Sequence, residues 1–251
     1  MKRVALITGA SRGLGAVIAT LLSRQEYDLV LTARGQEALE QLAVSLIGYG
    51  GRPPTGTLRG KVRAIAGDVA NPAHQRALVG AAQELGRLDI LINNASDLGP
   101  SPLPPLANYP LEALEQVLAV NLIAPLGLIQ EALPLLKASG GLVVNISSDA
   151  ARVGYPGWGG YGSSKAALDL ITLTLANELR DAGVGVVGVD PGDMRTDMHQ
   201  QAFPGEDISD RPSPEVTIPF WLWLFGQAPL AVSGQRYQAQ AEQWEVRGEK
   251  E

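Results

Sequence analysis

The sequence has no cysteine. Disulfides, thiol nucleophiles and cysteine-ligated metals are thereby excluded. Histidine is scarce, with only His74 and His199, far apart in the chain. A histidine-rich metal cluster and a serine–histidine–aspartate triad are disfavoured. Both histidines are expected on the surface, and no metal site is expected. Positive charge is short as well: 20 Lys and Arg stand against 26 Asp and Glu, a net charge of -6. Nucleic acids and anionic membranes call for a basic footprint, so neither is an expected partner. Long apolar runs are missing too. The N-terminal run is only Val4 to Ile7, too short for a signal-peptide core. The run IPFWLWLF (Ile218–Phe225) is interrupted by Pro219 and falls far below the ~18 residues of a membrane span. These features predict a soluble cytoplasmic protein. The 218–225 patch is expected under a lid or in a subunit interface, with the chain's own core as the alternative.

What is present is a regular alternation. The 251 residues, 45% of them hydrophobic, suit one α/β domain with a large core. Apolar strand-like runs at 3–8, 27–33, 61–69, 88–95, 141–148 and 183–190 alternate with helical spacing at 13–24, 36–47, 73–85, 111–138 and 161–181. Pro125 and Pro134 are expected to bend or break the 111–138 helix. A seventh strand is expected within 233–240. Buried strands alternating with helices predict a single-domain, Rossmann-type α/β fold: a doubly wound parallel sheet of about seven strands, helices on both faces. The domain spans 1–251. The Gly/Pro-rich stretch 48–60 reads as an exposed loop. The polar segment 192–215, after a core strand, is where a substrate-covering lid would sit.

The first chemical motif is TGASRGLG (8–15), between the first strand and the first helix. Gly9, Gly13 and Gly15 allow a tight turn and close backbone approach, and the helix N-terminus offers free N–H groups to a phosphate. At the end of the second strand, where an acidic residue would bind a ribose hydroxyl, the chain has Arg34, and Arg12 lies in the glycine loop. Two guanidinium groups suit a 2′-phosphate and favour NADP(H). Asp68, in GDV (67–69), can accept from an adenine amino group or cap the helix near Pro72. In NNA (93–95), asparagine side chains can bind backbone groups near the cofactor.

The last motif is the set Asn121, Ser148, Tyr161 and Lys165. Tyr161 and Lys165 are one helical turn apart and share a face. A free tyrosine, at pKa ~10, is too weak an acid for proton transfer near neutrality. An adjacent ammonium and the positive charge of an oxidised nicotinamide both favour the phenolate. Ser148, thirteen residues earlier, can hold the same substrate oxygen.

With TGxxxGxG at 8–15, NNA at 93–95, Asn121, Ser148, YxxxK at 161–165 and PG at 191–192, the chain resembles the short-chain dehydrogenase/reductase family over nearly its whole length. The resemblance implies an NADP(H)-dependent oxidoreductase acting on a small carbonyl or secondary alcohol. Tyr161 would be the general acid/base, Lys165 would lower its pKa and bind the nicotinamide ribose, Ser148 would orient the substrate oxygen, and Asn121 would hold a relay water. Gly9, Ser11, Arg12, Gly13, Leu14, Gly15, Arg34, Asp68, Val69, Asn94, Ala95, Pro191, Gly192 and Thr196 are the remaining expected cofactor contacts. A homodimer or homotetramer is also implied. The loop after Ser148, with Arg152, Tyr155 and Trp158, would border the substrate, opposite Leu98, Met194 and Met198. Two departures stand out: Ser96 replaces the glycine of the usual NNAG, and SGQRYQAQAEQW (233–244) replaces a double glycine. A non-catalytic dinucleotide sensor and a lyase, epimerase or dehydratase on the same fold are the alternatives.

Overall fold

A computed structural model describes residues 1–48 and 60–246. The predicted 48–60 loop falls almost wholly outside the described residues, as does the end of the C-terminal tail. Seven parallel strands form one sheet in the order β3-β2-β1-β4-β5-β6-β7. They are β1 (Val4–Thr8), β2 (Asp28–Ala33), β3 (Val62–Ala66), β4 (Ile90–Asn93), β5 (Leu142–Ile146), β6 (Gly185–Asp190) and β7 (Arg236–Gln238). β1, β2, β4, β5 and β6 are buried along their full lengths, which is why they read as continuous apolar runs. β1 pairs with β2 on one side and β4 on the other. Strand order reverses there, and α/β sheets open a crevice at such a point.

The predicted helices α1 (Gly13–Arg24), α2 (Gln36–Gly48) and α3 (Pro72–Leu85) are found. Leu14, Ile18, Leu21 and Leu22 of α1 and Leu39 and Leu46 of α2 fill one face of the sheet. The opposite face is covered by α3 and by two later helices, α5 (Ala124–Ser139) and α6 (Gly159–Glu178). Leu128, Ile129, Ala132 and Leu136 of α5 lie in that layer.

The helix expected at 111–138 is two helices. α4 (Leu111–Leu118) runs into a π-helical turn, Ala119–Ile123, and then into α5. The Ala124 N–H reaches the Ala119 carbonyl, five residues back. Pro125 has no N–H to give the Asn121 carbonyl four residues back, so an ordinary turn cannot close there. Pro134, expected to bend or break the helix, lies inside α5 without ending it. By length and composition Leu111–Ser139 is apolar enough to cross a membrane. Here its apolar stripe packs on the sheet.

The 218–225 patch takes the core alternative rather than a lid or interface setting. It forms α8 (Ile218–Phe225), after the short α7 (Asp197–Ala202), and lies in the core of the chain itself. Phe220, Trp221, Leu224 and Phe225 are buried against the α1 layer. Trp221 donates from Nε1 to Thr217 Oγ1 at 2.9 Å. Phe220 packs at 5.9 Å from the Tyr237 ring of β7. A four-residue helix, α9 (Pro229–Val232), leads into β7.

Candidate active site

The glycine loop sits at the crevice. Gly9 has a φ of +63°, a conformation that favours glycine. At Gly15 the reason is space: a Cβ there would stand 2.3 Å from the Gly9 carbonyl oxygen. Asn94 fastens this loop to β4, donating from Nδ2 to the carbonyls of Thr8 (2.9 Å) and Gly9 (3.1 Å). The backbone-binding expectation for Asn94 is met. The N-cap of α1 is Arg12, which makes no capping side-chain bond, and the first turn holds no acidic residue. The first-turn N–H groups are thus available to an anion, and the glycine cradle fits a dinucleotide phosphate.

A cleft of about 1050 Å³ runs from this loop across the sheet end. Gly9, Arg12, Gly13, Leu14 and Arg34 line it together with Ser148, Tyr161 and Lys165, and Asn94, Pro191, Gly192 and Thr196 are in its wall as well. Ser11, Gly15, Asp68, Val69, Ala95 and Asn121 do not line it. Of Asp68's two readings, the helix cap is not found: its Oδ1 accepts from the Ala70 N–H, and the N-cap of α3 is Asn71. Val69 is buried. Arg12, which lines the cleft, pairs with Asp197 on its wall at 2.9 Å.

Tyr161 and Lys165 project from the first turns of α6 and are both buried. Lys165 Nζ donates to the Ile146 carbonyl at 2.8 Å. Burial pushes its pKa down to about 8. Burial pushes the Tyr161 phenol up to about 12, opposed first by a hydrogen bond to Ser96, then reinforced by Asp190 and Asp149, and opposed again by Ser148. Ser148 does not end a strand as expected. It lies two residues beyond β5, capping a 3₁₀ turn (Asp149–Ala151) through the Ala150 N–H. Its hydroxyl also donates to Asp149 Oδ1 at 3.1 Å.

Asn121 is buried and away from the cleft wall. Its Oδ1 accepts from the Asp97 N–H (2.7 Å) and the Ser96 hydroxyl (3.1 Å). Its Nδ2 donates to the Asp97 carbonyl (2.8 Å) and to Ser164 (3.0 Å). The Asn121 side chain thereby ties the loop after β4 to α6.

One part of the cleft wall is an apolar cluster. Leu98, Trp158, Met198 and Phe203 cluster around Tyr161, with the Trp158 ring edge-on to the phenol ring at 5.8 Å. Met194 also lines the cleft, but Arg152 does not. His199 corrects the surface expectation: its ring packs at 5.0 Å from Phe203, lines the cleft, and buries Nε2 without a partner. Among the described residues no cluster could hold a metal ion.

Residues 3–207 match the family model for short chain dehydrogenases. The chain belongs to the short-chain dehydrogenase/reductase family of oxidoreductases. The Escherichia coli oxidoreductase YciK is similar, 31% identical over 239 residues that make up 95% of this chain and 92% of YciK. The YciK crystal structure superposes with a TM-score of 0.85, covering 95% of each chain. A short-chain dehydrogenase from Escherichia coli CFT073, solved in complex with NADPH, has a TM-score of 0.84 and 31% identity, over 95% of this chain and 97% of that one. A Pseudomonas aeruginosa 3-oxoacyl-[acyl-carrier-protein] reductase of rhamnolipid biosynthesis is 33% identical, covering 92% of this chain and 88% of its own.

Several residues of this short-chain dehydrogenase carry no motif signal. Arg236 of β7 donates to the Ser148 carbonyl at 2.7 Å and pairs with Asp169 and Asp190. Its role depends on strand order, which brings β7 beside β6. Ser96 was visible only as a departure from NNAG.

Proposed function

We propose that this short-chain dehydrogenase interconverts a carbonyl and a secondary alcohol using NADP(H). The observation that carries this reading is the convergence of the α1 N-terminus, Arg12 and Arg34 with Ser148, Tyr161 and Lys165 in one cleft. The bound cofactor supplies or accepts a hydride at the carbonyl carbon.

The residues of the chain do the rest. Gly9, Gly13, Leu14 and the first turn of α1 hold the phosphates. Arg12 and Arg34 take the 2′-phosphate, and the NADPH complex of the Escherichia coli CFT073 relative supports that choice. Lys165 binds the nicotinamide ribose, with Thr196, Pro191 and Gly192 beside it. Tyr161 gives its phenolic proton to the carbonyl oxygen in reduction and takes it back in oxidation. Ser148 donates to the same oxygen. The segment 192–215 serves as the lid, and its α7 carries Met198 and His199 onto the cleft. Leu98, Trp158, Met198 and Phe203 fit a substrate with a bulky apolar body. The exposed stripe Ala166, Leu170 and Leu173 on α6 supports a homodimer or homotetramer packed through that helix.

The test is NADPH and NADH oxidation against ketones, aldehydes, quinones and 3-oxoacyl thioesters, with Tyr161→Phe alongside. Net NADPH consumption that falls about 100-fold or more in the variant, with NADPH binding intact, is expected. Turnover without net NADPH consumption points instead to an epimerase or lyase. Tight NADPH binding with no turnover across the panel points to a sensor.

A further inference from the structure

The turn that leads out of β6 is held by a side chain from beyond β7. Gln240, two residues past that strand, donates from Nε2 to the Pro191 carbonyl at 3.0 Å and to the Asp193 carbonyl at 2.9 Å. The two N–H bonds of one amide thus serve one turn. Gly192 lies between those carbonyls, with a φ of +75°. A Cβ on it would stand 2.6 Å from Gln240 Nε2, so the amide packs directly on the glycine. The Gly192 N–H is itself taken by Asp190 Oδ1 at 3.1 Å.

The amide reaches out from a fixed base. Ala239 donates to the Asp190 carbonyl at 2.8 Å, which extends the β6–β7 pairing of Asp190 with Gln238. The Gln238 carbonyl accepts from the Ala241 N–H at 3.2 Å and from Trp244 Nε1 at 2.9 Å. The Trp244 ring packs in turn at 5.3 Å from Phe220. With the backbone tied down on either side of it, Gln240 can set where the turn stands. The turn is part of the cleft: Asp190, Pro191, Gly192 and Asp193 all line it, and Gln240 does not. The side chain therefore acts through the turn. It belongs to the segment that replaces the family's double glycine, and glycines would carry no such clamp.

We propose that Gln240 is a positioning residue for the nicotinamide half of the cofactor, fixing the Pro191–Asp193 turn against which that half is held. This rests on the placement of the nicotinamide ribose beside Pro191, Gly192 and Thr196 in the function proposed above.

The two halves of the cofactor separate this role from a general one. The phosphates and the 2′-phosphate fall to the glycine loop, Arg12 and Arg34, none of which Gln240 touches. Loss of the clamp acts on the nicotinamide half alone, whereas a loosened fold acts on both halves.

The test is a fluorescence titration with NADPH beside a calorimetric titration with adenosine 2′,5′-bisphosphate, which carries the 2′-phosphate and no nicotinamide. Gln240→Met keeps the length of the side chain and loses both donors. Its NADPH affinity is expected to fall about five-fold, the scale of one net hydrogen bond, with the bisphosphate held within about two-fold. Gln240→Glu sets a carboxylate against two carbonyl oxygens, and its NADPH affinity is expected to fall about ten-fold or more, again with the bisphosphate little changed. NADPH affinity that holds in Gln240→Met overturns the proposal, as does an equal fall for the two ligands in either variant. Neither titration needs turnover, so a failed carbonyl screen sinks the oxidoreductase reading and leaves this result standing.

Discussion

The ammonium of Lys165 stands 5.5 Å from the centre of the Tyr161 ring, with its Nζ held by the Ile146 carbonyl. Both groups are buried, and burial acts on them in opposite directions. It moves the lysine down to about 8 and the tyrosine up to about 12. Each is driven toward its neutral form. The proposed chemistry needs the lysine charged, so the fold holds a cation that it disfavours.

That conflict predicts a trade between stability and activity at Lys165. Between pH 8 and its ordinary value of 10.5 the unfolded chain binds a proton that the folded chain has released. Stability from this residue therefore rises with pH across that window, and the full penalty is felt below it. A shift of that size corresponds to about 3 kcal/mol, and the lost bond to Ile146 offsets about 1 of it. Lys165→Met is expected to gain about 2 kcal/mol near pH 7, with the gain shrinking toward pH 10. Turnover should drop about 100-fold or more. Denaturant unfolding at two pH values checks this, and a variant less stable at both would refute the burial argument.

Arg236 is predicted to act on Ser148 from behind the sheet. It donates to the Ser148 carbonyl and neutralises Asp190, which is 4% exposed. Burial holds the Asp190 carboxyl above its ordinary value, opposed by the Gly192 N–H and by Arg236. Arg236→Leu leaves that buried carboxylate unpaired, at about 3 kcal/mol, or about 9 °C in Tm. Turnover should fall through Ser148 while NADPH affinity holds. Arg236→Lys should recover part of the stability, since it keeps the charge but not the fork.

The pair Arg12–Asp197 predicts a competition for the cofactor. Both side chains are exposed, so the pair itself is weak. Asp197→Asn releases Arg12 for the 2′-phosphate. NADPH affinity is expected to rise up to about five-fold, with NADH unaffected. Arg34→Asp is expected to weaken NADPH far more than NADH. Fluorescence titrations with both cofactors check the two variants, and equal effects on NADPH and NADH would dismiss 2′-phosphate recognition.

The parallel sheet was legible because five of its strands are buried along their length and so read as unbroken apolar runs. The glycine loop, Ser148, Tyr161 and Lys165 were legible because each is a local pattern. Arg236 and Asp190 were not, because parallel pairing of β6 and β7 joins residues far apart in sequence. The fate of α8 was hidden for a different reason. An apolar helix reads alike whether it meets a lid, a partner or its own sheet, and only the packing of Phe220 on Tyr237 decides. At Asn121 the residue was visible, but its four hydrogen bonds depend on a π turn that Pro125 signals only indirectly.

Gly15 gives the sharpest steric prediction. A Cβ there would meet the Gly9 carbonyl oxygen at 2.3 Å and Asn94 Nδ2 at 2.7 Å. Neither neighbour can yield freely: one is backbone, and the other is held by the Thr8 and Gly9 carbonyls. Gly15→Ala must push the glycine loop off β4, which is expected to destabilise the fold by about 2 kcal/mol. Because the same loop forms the phosphate cradle, NADPH affinity should fall about ten-fold or more. Gly80→Ala is the matched control. It lies inside α3 with nothing within 4 Å of the added methyl. There the helix should gain about 0.5–1 kcal/mol and NADPH binding should not change. Thermal unfolding and cofactor titration of the two variants check this. If Gly15→Ala bound NADPH as tightly as Gly80→Ala, the glycine loop would not be the phosphate cradle.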